Sequence, residues 1–379
     1  MDDSVKRILI IIGKLYIGGA ERVAYDIGMC AETRKYEIHY VVFGDEVGEY
    51  ECALTEKGCK IFHMPEPSAG YRAFMRRIGG LIDEYGYCAV HCHTMFNSGL
   101  VLSVAKRKGV PCRIAHSHSI QRPKRRRFAR IIYEWLMEKA ILGCATHCIA
   151  CGVKAGEWLY GKKGFAEKGI LLLNGIETEK FRYDEDMRGR IRKKLGLGDS
   201  FVVGHVGHFA AVKNQAFLIR LLKYLRDNGK NAKLLLLGDG EDRQMLESLV
   251  KELGIEADVI MTGNVMNVGD YLNAMDVFAF PSLFEGMPLS VVEAQTNGLR
   301  CVISDNVPSD VCLTNLVSVL SLDAPQSEWA KEIMRSGRFN SAEYCDIMKK
   351  SGFDVSESLK RVYEIYDEAV RSVARGEKR

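Results

Sequence analysis

Short apolar runs recur along the chain, and each stops at glycine, proline or a polar cluster. In the first half "RILIIIG", "YEIHYVVFG", "CKIFHM", "AVHCHT", "CRIAHSH", "THCIAC" and "GILLLNG" read as buried strands. Between them, positions 97–108 and 128–142 carry apolar residues at helical spacing, and "GGAERVAYDIGMC" reads as a loop running into a helix. Alternating strands and helices predict an α/β fold with a doubly wound parallel sheet. A charged stretch, "TEKFRYDEDMRGRIRKKLGLGD", interrupts the alternation around 178–199. It resumes with "FVVGHVGH", "KLLLLGDG", "DVIMTGN", "DVFAFPS" and "CVISDN", which predict a second sheet of the same class. The last segment, "VSESLKRVYEIYDEAVRSVA", is amphipathic and predicts a closing helix, about 356–379, that packs back on the first domain. The expected domains are therefore 1–178 with that helix, and 179–355. Ligands of open parallel sheets sit beyond the carboxyl ends of the strands, so two such domains are expected to face a central cleft.

One strand end carries unusual chemistry. After "DVFAFPS" comes "FEGMPLSVVEAQ", in which Glu285 and Glu293 are separated by seven residues around a Gly-Met-Pro turn. Pro288 suits the first turn of a helix, which the apolar Leu289, Val291, Val292 and Ala294 carry toward a stop at Gly298. Glu285 then lies in the strand-to-helix loop and Glu293 on the helix. The free amides at the helix start favour an anion, phosphate above all. Two carboxylates flanking a phosphate-sized positive end suit a ligand with hydroxyls at both ends and phosphate in the middle, the outline of a nucleotide-sugar. A capped helix with two solvated glutamates is the plainer alternative.

Composition narrows the classes. At 379 residues, 47% apolar and 27% charged, the chain is long enough for two cores and is ordinary for a globular protein. A net charge of +4 implies no large nucleic-acid surface. No stretch approaches a membrane span and the N-terminus lacks a signal-peptide layout, so a cytoplasmic location is expected. The 12 cysteines are scattered. Cys148-x-x-Cys151, with Cys144 and His147 nearby, raises a metal, but no second pair completes a zinc site and buried reduced thiols are the expected reading.

Five segments in order resemble the retaining glycosyltransferases of family 4, which have the GT-B fold, and among them the capsular and exopolysaccharide group. They are "IGGAERVA", "RIAHSHS", "LLLNGIETEKF", "GHVGHFAAVKNQ" and "AMDVFAFPSLFEGMPLSVVEAQTNGLRCVISD", which span most of the chain. The resemblance implies two Rossmann-like domains and transfer of a sugar, as a hexosyltransferase would, from a nucleoside-diphosphate donor to a lipid-linked or oligosaccharide acceptor. It implies that Glu293 binds the ribose hydroxyls and Glu285 those of the transferred sugar. Amides around Gly286, Met287 and Leu289 would face the diphosphate, and Lys213 would neutralise it as it leaves. Gly18 and Gly19 would let backbone approach the same phosphates; a tight turn is their plainer reading, and no G-x-G-x-x-G follows. His118, with His116 as its competitor, would touch sugar and acceptor, while His91 and His93 read as structural. No obligatory metal or other cofactor is implied.

The chain departs from the family at Gly207-His208, where relatives carry an arginine after the glycine. Arginine holds a bidentate, permanent charge on phosphate; histidine is charged only part of the time near neutral pH. A binding protein that has lost catalysis is therefore one alternative, and a GT-B sugar-nucleotide epimerase another. Finally, "RPKRRRFARIIYEWLMEK" packs six basic residues between Arg122 and Arg130, followed by Phe128, Ile131, Ile132 and Trp135 at helical spacing. A solvated charge run is the plain reading. An anionic membrane surface met through 122–135, on the inner face of the plasma membrane, is the functional one.

Overall fold

A computed structural model of the chain describes residues 6–31, 35–118, 128–335 and 337–375. The chain divides into two compact units, one of residues 1–175 with 355–379, the other of residues 176–354. The first contains a seven-stranded parallel sheet of β1 (Lys6–Ile11), β2 (Tyr36–Phe43), β3 (Lys60–Met64), β4 (Ala89–Cys92), β5 (Cys112–Ser117), β6 (His147–Ala150) and β7 (Gly169–Leu171), in the order β3-β2-β1-β4-β5-β6-β7. The second contains β8 (Phe201–Val206), β9 (Ala232–Leu237), β10 (Val259–Met261), β11 (Val277–Phe280), β12 (Cys301–Ser304) and β13 (Val317–Leu320), in the order β10-β9-β8-β11-β12-β13. In each sheet the first strand of the unit pairs on both sides, β1 with β2 and β4, β8 with β9 and β11. The order reverses there, which is where such sheets bind ligands.

The apolar runs form strands because both faces of each sheet are covered. On β1, Ile8 and Ile10 enter the core on one face and Leu9 and Ile11 the core on the other, all fully buried. The terminal helix Val355–Ala374 covers the first of these faces. Leu359, Val362, Tyr363, Tyr366 and Ala369 recur at helical spacing and are buried. Tyr363 Oη donates to the Ile27 carbonyl at 2.6 Å, and Tyr36 Oη donates to Asp367 at 2.6 Å.

Two features differ from the sequence pattern. Much of the charged stretch at 178–199 is a helix, Glu185–Lys194, integral to the second unit. Asp184 caps it by accepting from the Met187 amide at 2.9 Å. Its arginines do not merely face solvent: Arg188 and Arg192 lie 2.7 and 3.3 Å from the two oxygens of Asp276, one residue before β11. The other is β13, a four-residue, half-exposed edge strand too short to announce itself.

Candidate functional site

The chemistry of the second unit gathers at the carboxyl ends of β8 and β11. After β8 the chain makes a turn at Gly207 and His208, and Lys213 ends a short 3-10 turn, Ala211–Lys213. Asn214 follows with φ +57°, opening the helix Gln215–Asp227. After β11, residues 281–288 lead into the helix Leu289–Thr296. These two loops are tied together. The Leu283 amide donates to the Val212 carbonyl at 2.8 Å, and Asn214 Nδ2 to the Pro281 carbonyl at 3.2 Å. Lys213 and Glu285, 72 residues apart, meet with Nζ 2.7 Å from Oε1. Both side chains are largely shielded, at 20% and 10% exposure, and the ammonium stands 5.1 Å over the Phe280 ring.

Glu285 stands in the loop and Glu293, partly buried, on the helix. Pro288 immediately precedes the helix, whose first internal bond runs from the Val291 amide to the Pro288 carbonyl at 3.1 Å. The amides of Leu289 and Ser290 thus open the helix before that ladder begins. Gly286 is exposed with no atom near its missing Cβ, so the chain here presents bare backbone. Met287 is partly buried. The helix closes through Gly298 at φ +77°, where any Cβ would come within 2.5 Å of the Phe339 carbonyl oxygen.

Sequence reasoning missed the support beneath Lys213. His205 is fully buried on β8; its Nδ1 donates to the Ala279 carbonyl at 3.0 Å, and burial pushes its pKa down to about 4. Nε2 is then the acceptor for Gln215 Nε2, 3.4 Å away, which also donates to the His208 carbonyl at 2.9 Å. This network links β8, β11 and the Gln215–Asp227 helix, and it fixes the Gly207–His208 turn. "GDGE" after β9 packs against the same turn: a Cβ on Gly240 would meet Phe209 backbone at 2.4 Å. It also brings Glu241 to His208, with Oε2 2.7 Å from Nε2. Both side chains are exposed, so the contact contributes little to stability. His208 therefore already holds a carboxylate. The Gly-x-Gly after β9 was the available signal for this loop.

In the first unit, Gly18 and Gly19 lead into the helix Gly19–Met29. Gly18 is extended (φ −164°) and neither glycine is in the left-handed region, so a strained turn does not explain the pair. Space beside Gly19 is open, and a Cβ on Gly18 would meet only the flexible end of Glu21. The Glu21 carboxyl is raised above its ordinary pKa by burial, with the Ala20 and Glu21 amides pulling the other way. Its carboxylate thus occupies the helix start, and any anion arriving there competes with it.

His116 and His118, on β5 and just past it, are brought together with His91 and His93 on and just past β4. The rings lie close together, His91–His93 tilted at 4.3 Å and His116–His118 stacked at 4.1 Å between centroids. His91 Nδ1 lies 2.7 Å from Tyr366 Oη, His91 Nε2 3.3 Å from His116 Nδ1, and His93 Nδ1 2.7 Å from His118 Nε2. Burial lowers all four pKa values, His91 to about 3 and His118 to about 4, so the cluster is neutral. His116 is 1% exposed and walls a small cavity with Asp26 and Asn174, whereas His118 is partly exposed. Of the two, His118 has the more exposed surface, although its Nδ1 is buried and its Nε2 meets His93. The spacing-of-two repeat in "HCH" and "HSH" was the visible sign that two strands could stack these rings. Cys148 and Cys151 take no part in it: Cys151 Sγ donates to the His118 carbonyl at 3.1 Å, and burial pushes both thiols up to about 11.

The basic run begins outside the described residues, 119–127 among them. The helix that follows, Phe128–Cys144, exposes Phe128, Ile131, Ile132, Trp135 and Leu136. Spacings of three and four place these five on one helix face. Among the described residues, no helix is long and apolar enough to cross a membrane.

Comparison with known proteins bears on this geometry. The family profile described as Glycosyltransferase Family 4 matches residues 17–180, and that described as Glycosyl transferases group 1 matches residues 187–336. The putative glycosyltransferase EpsF of Bacillus subtilis is 30% identical over 97% of this chain and 98% of its own. The UDP-Gal:alpha-D-GlcNAc-diphosphoundecaprenol alpha-1,3-galactosyltransferase of Escherichia coli is 30% identical over 62% of this chain and 61% of its own. The capsular polysaccharide biosynthesis glycosyltransferase CapH of Staphylococcus aureus is 24% identical over 95% and 98%. Among solved structures, Anabaena Alr3699/HepE in complex with UDP and glucose superposes with a TM-score of 0.77 at 19% identity, over 96% of this chain and all of that one.

Proposed function

The chain belongs to the family 4 glycosyltransferases, with the GT-B fold, and from that membership we propose that it moves a hexose from a uridine-diphosphate sugar to a lipid-linked polysaccharide precursor with retention of anomeric configuration. The observation that carries this reading is the Lys213–Glu285 contact, held by two interlocked loops at the β8/β11 switch point beside an open helix start. A uridine donor is supported by the UDP in the Anabaena complex and by the name of the Escherichia coli enzyme, a lipid diphosphate acceptor by the latter alone.

In this account Glu293 accepts from the ribose and Glu285 from the sugar hydroxyls. The amides of Gly286, Met287, Leu289 and Ser290 take the diphosphate oxygens. Lys213 gains most of its value late. As the bond from the anomeric carbon to the diphosphate oxygen breaks, negative charge grows on that oxygen next to the ammonium. The acceptor hydroxyl attacks from the face the diphosphate leaves and passes its proton to the departing diphosphate. Transfer needs no metal on this reading, because lysine and amides meet the charge. His118 orients sugar and acceptor hydroxyls as a neutral imidazole. Incubating the protein with a panel of UDP-hexoses and a polyprenyl-diphosphate-linked sugar tests the reading. Acceptor-dependent UDP release is expected; tight UDP binding without release would favour the non-catalytic alternative that His208 raises.

His208 itself yields a prediction. His208→Arg should keep the contact with Glu241 and place a permanent charge at the turn, so transfer at saturating donor should rise a few-fold. Steady-state rates of the two proteins decide it, and a variant no faster than wild type removes His208 from diphosphate binding.

The exposed face of the Phe128–Cys144 helix supports the membrane reading. An apolar stripe next to a cationic run fits the interface of an anionic bilayer. Sedimentation with phosphatidylglycerol vesicles should show binding that weakens as salt is raised, and Trp135→Glu should reduce it. Binding that neither salt nor Trp135→Glu changes would contradict this.

A further inference from the structure

We propose that His91, His93 and His116 form a buried binding site for a zinc-class divalent cation in the first unit. The site does not depend on the functional reading above. One ring nitrogen from each of the three lies within 4.8 Å of the others. Zinc–nitrogen bonds of about 2.0–2.1 Å set tetrahedral ligand nitrogens about 3.4 Å apart. His91 Nε2 and His116 Nδ1 already stand at 3.3 Å, so closing the site takes ring tilts rather than backbone movement.

An independent observation points to a ligand. His93 Nε2 is buried and has no hydrogen-bond partner among the described residues, in a side chain only 6% exposed. A buried polar atom left unsatisfied is costly, and a bound cation would occupy its lone pair. The donor set selects the metal. Three neutral imidazoles with neither carboxylate nor thiolate suit zinc and its late first-row neighbours, and they do not suit magnesium or calcium, which need oxygen.

The outer contacts match what a metal-bound histidine requires of its second nitrogen. His91 Nδ1 faces Tyr366 Oη, so the terminal helix would brace the site. His93 bound through Nε2 must carry its proton on Nδ1 and donate it to His118 Nε2. His118 then keeps its own proton on Nδ1, so the cation would fix the tautomer of the histidine proposed to meet the sugar.

The test uses the full chain without a histidine tag, stripped by chelator, reloaded with zinc and dialysed. About one zinc per chain should remain, and the melting temperature should rise by several degrees. Cobalt in its place should give the visible absorption of a tetrahedral nitrogen site. His93→Gln with His116→Gln should abolish retention, while Cys148→Ser with Cys151→Ser should leave it unchanged. Absence of zinc from the wild type would overturn the proposal by itself, so misfolding of the histidine variant cannot shelter it. No retained zinc, or zinc lost in the cysteine variant, overturns it. UDP affinity, measured on the same samples, reports the transfer reading separately.

Discussion

Replacing Lys213 by alanine should lower the turnover number by about 10²–10³-fold, the loss typical when one preorganised donor to a developing oxyanion is removed. The effect follows from where the ammonium sits. It is mostly shielded from water, stacked over Phe280 and held against Glu285 by loops that are themselves hydrogen-bonded to each other. A charge in such a place need not reorganise when the diphosphate departs. Before donor arrives its field is spent on Glu285; once donor binds, the diphosphate competes for it. Ground-state affinity for UDP-sugar should therefore fall much less than the rate. Calorimetry with donor beside steady-state UDP release separates the two, and a loss confined to affinity would reassign Lys213 to binding alone.

The second large effect divides the two glutamates. Glu293→Gln should weaken donor binding by about 10- to 100-fold, the worth of one charged hydrogen bond at about 1.5–3 kcal/mol. Glu285→Gln should instead act mainly on transfer, because it removes the carboxylate that holds the Lys213 ammonium in place. Their placement motivates the contrast: Glu293 rides on a regular helix past its first-turn amides, while Glu285 lies in the loop joined to Lys213. Donor titrations and rates on both variants provide the check. Equal affinity losses would reject the division of roles.

Much of this architecture was legible because its signals are local. "RILIIIG" can only be a strand buried on both faces, and the spacing of Leu359, Val362, Tyr363 and Tyr366 already marks one helical stripe. The Glu285–Glu293 pattern was readable for the same reason, since a strand, a breaker and a proline fix where each carboxylate falls. What stayed hidden depends on distant partners. Nothing near Arg188 and Arg192 in sequence reveals that Asp276 will draw both from solvent. That His91 and His93 lie against His116 and His118 shows only once β4 and β5 pair. The contact of His208 with Glu241 needs the glycine loop after β9 to close on the turn after β8, which no short window of sequence contains.

The anomeric configuration of the linkage formed from an α-configured UDP-hexose, read by proton NMR on product built on a polyprenyl-diphosphate-linked sugar in the presence of chelator, tests the central claim most directly. The account predicts an α-linkage, formed at an undiminished rate without free divalent metal and lost with Lys213→Ala. A β-linkage, or donor that binds and is never transferred, would contradict it.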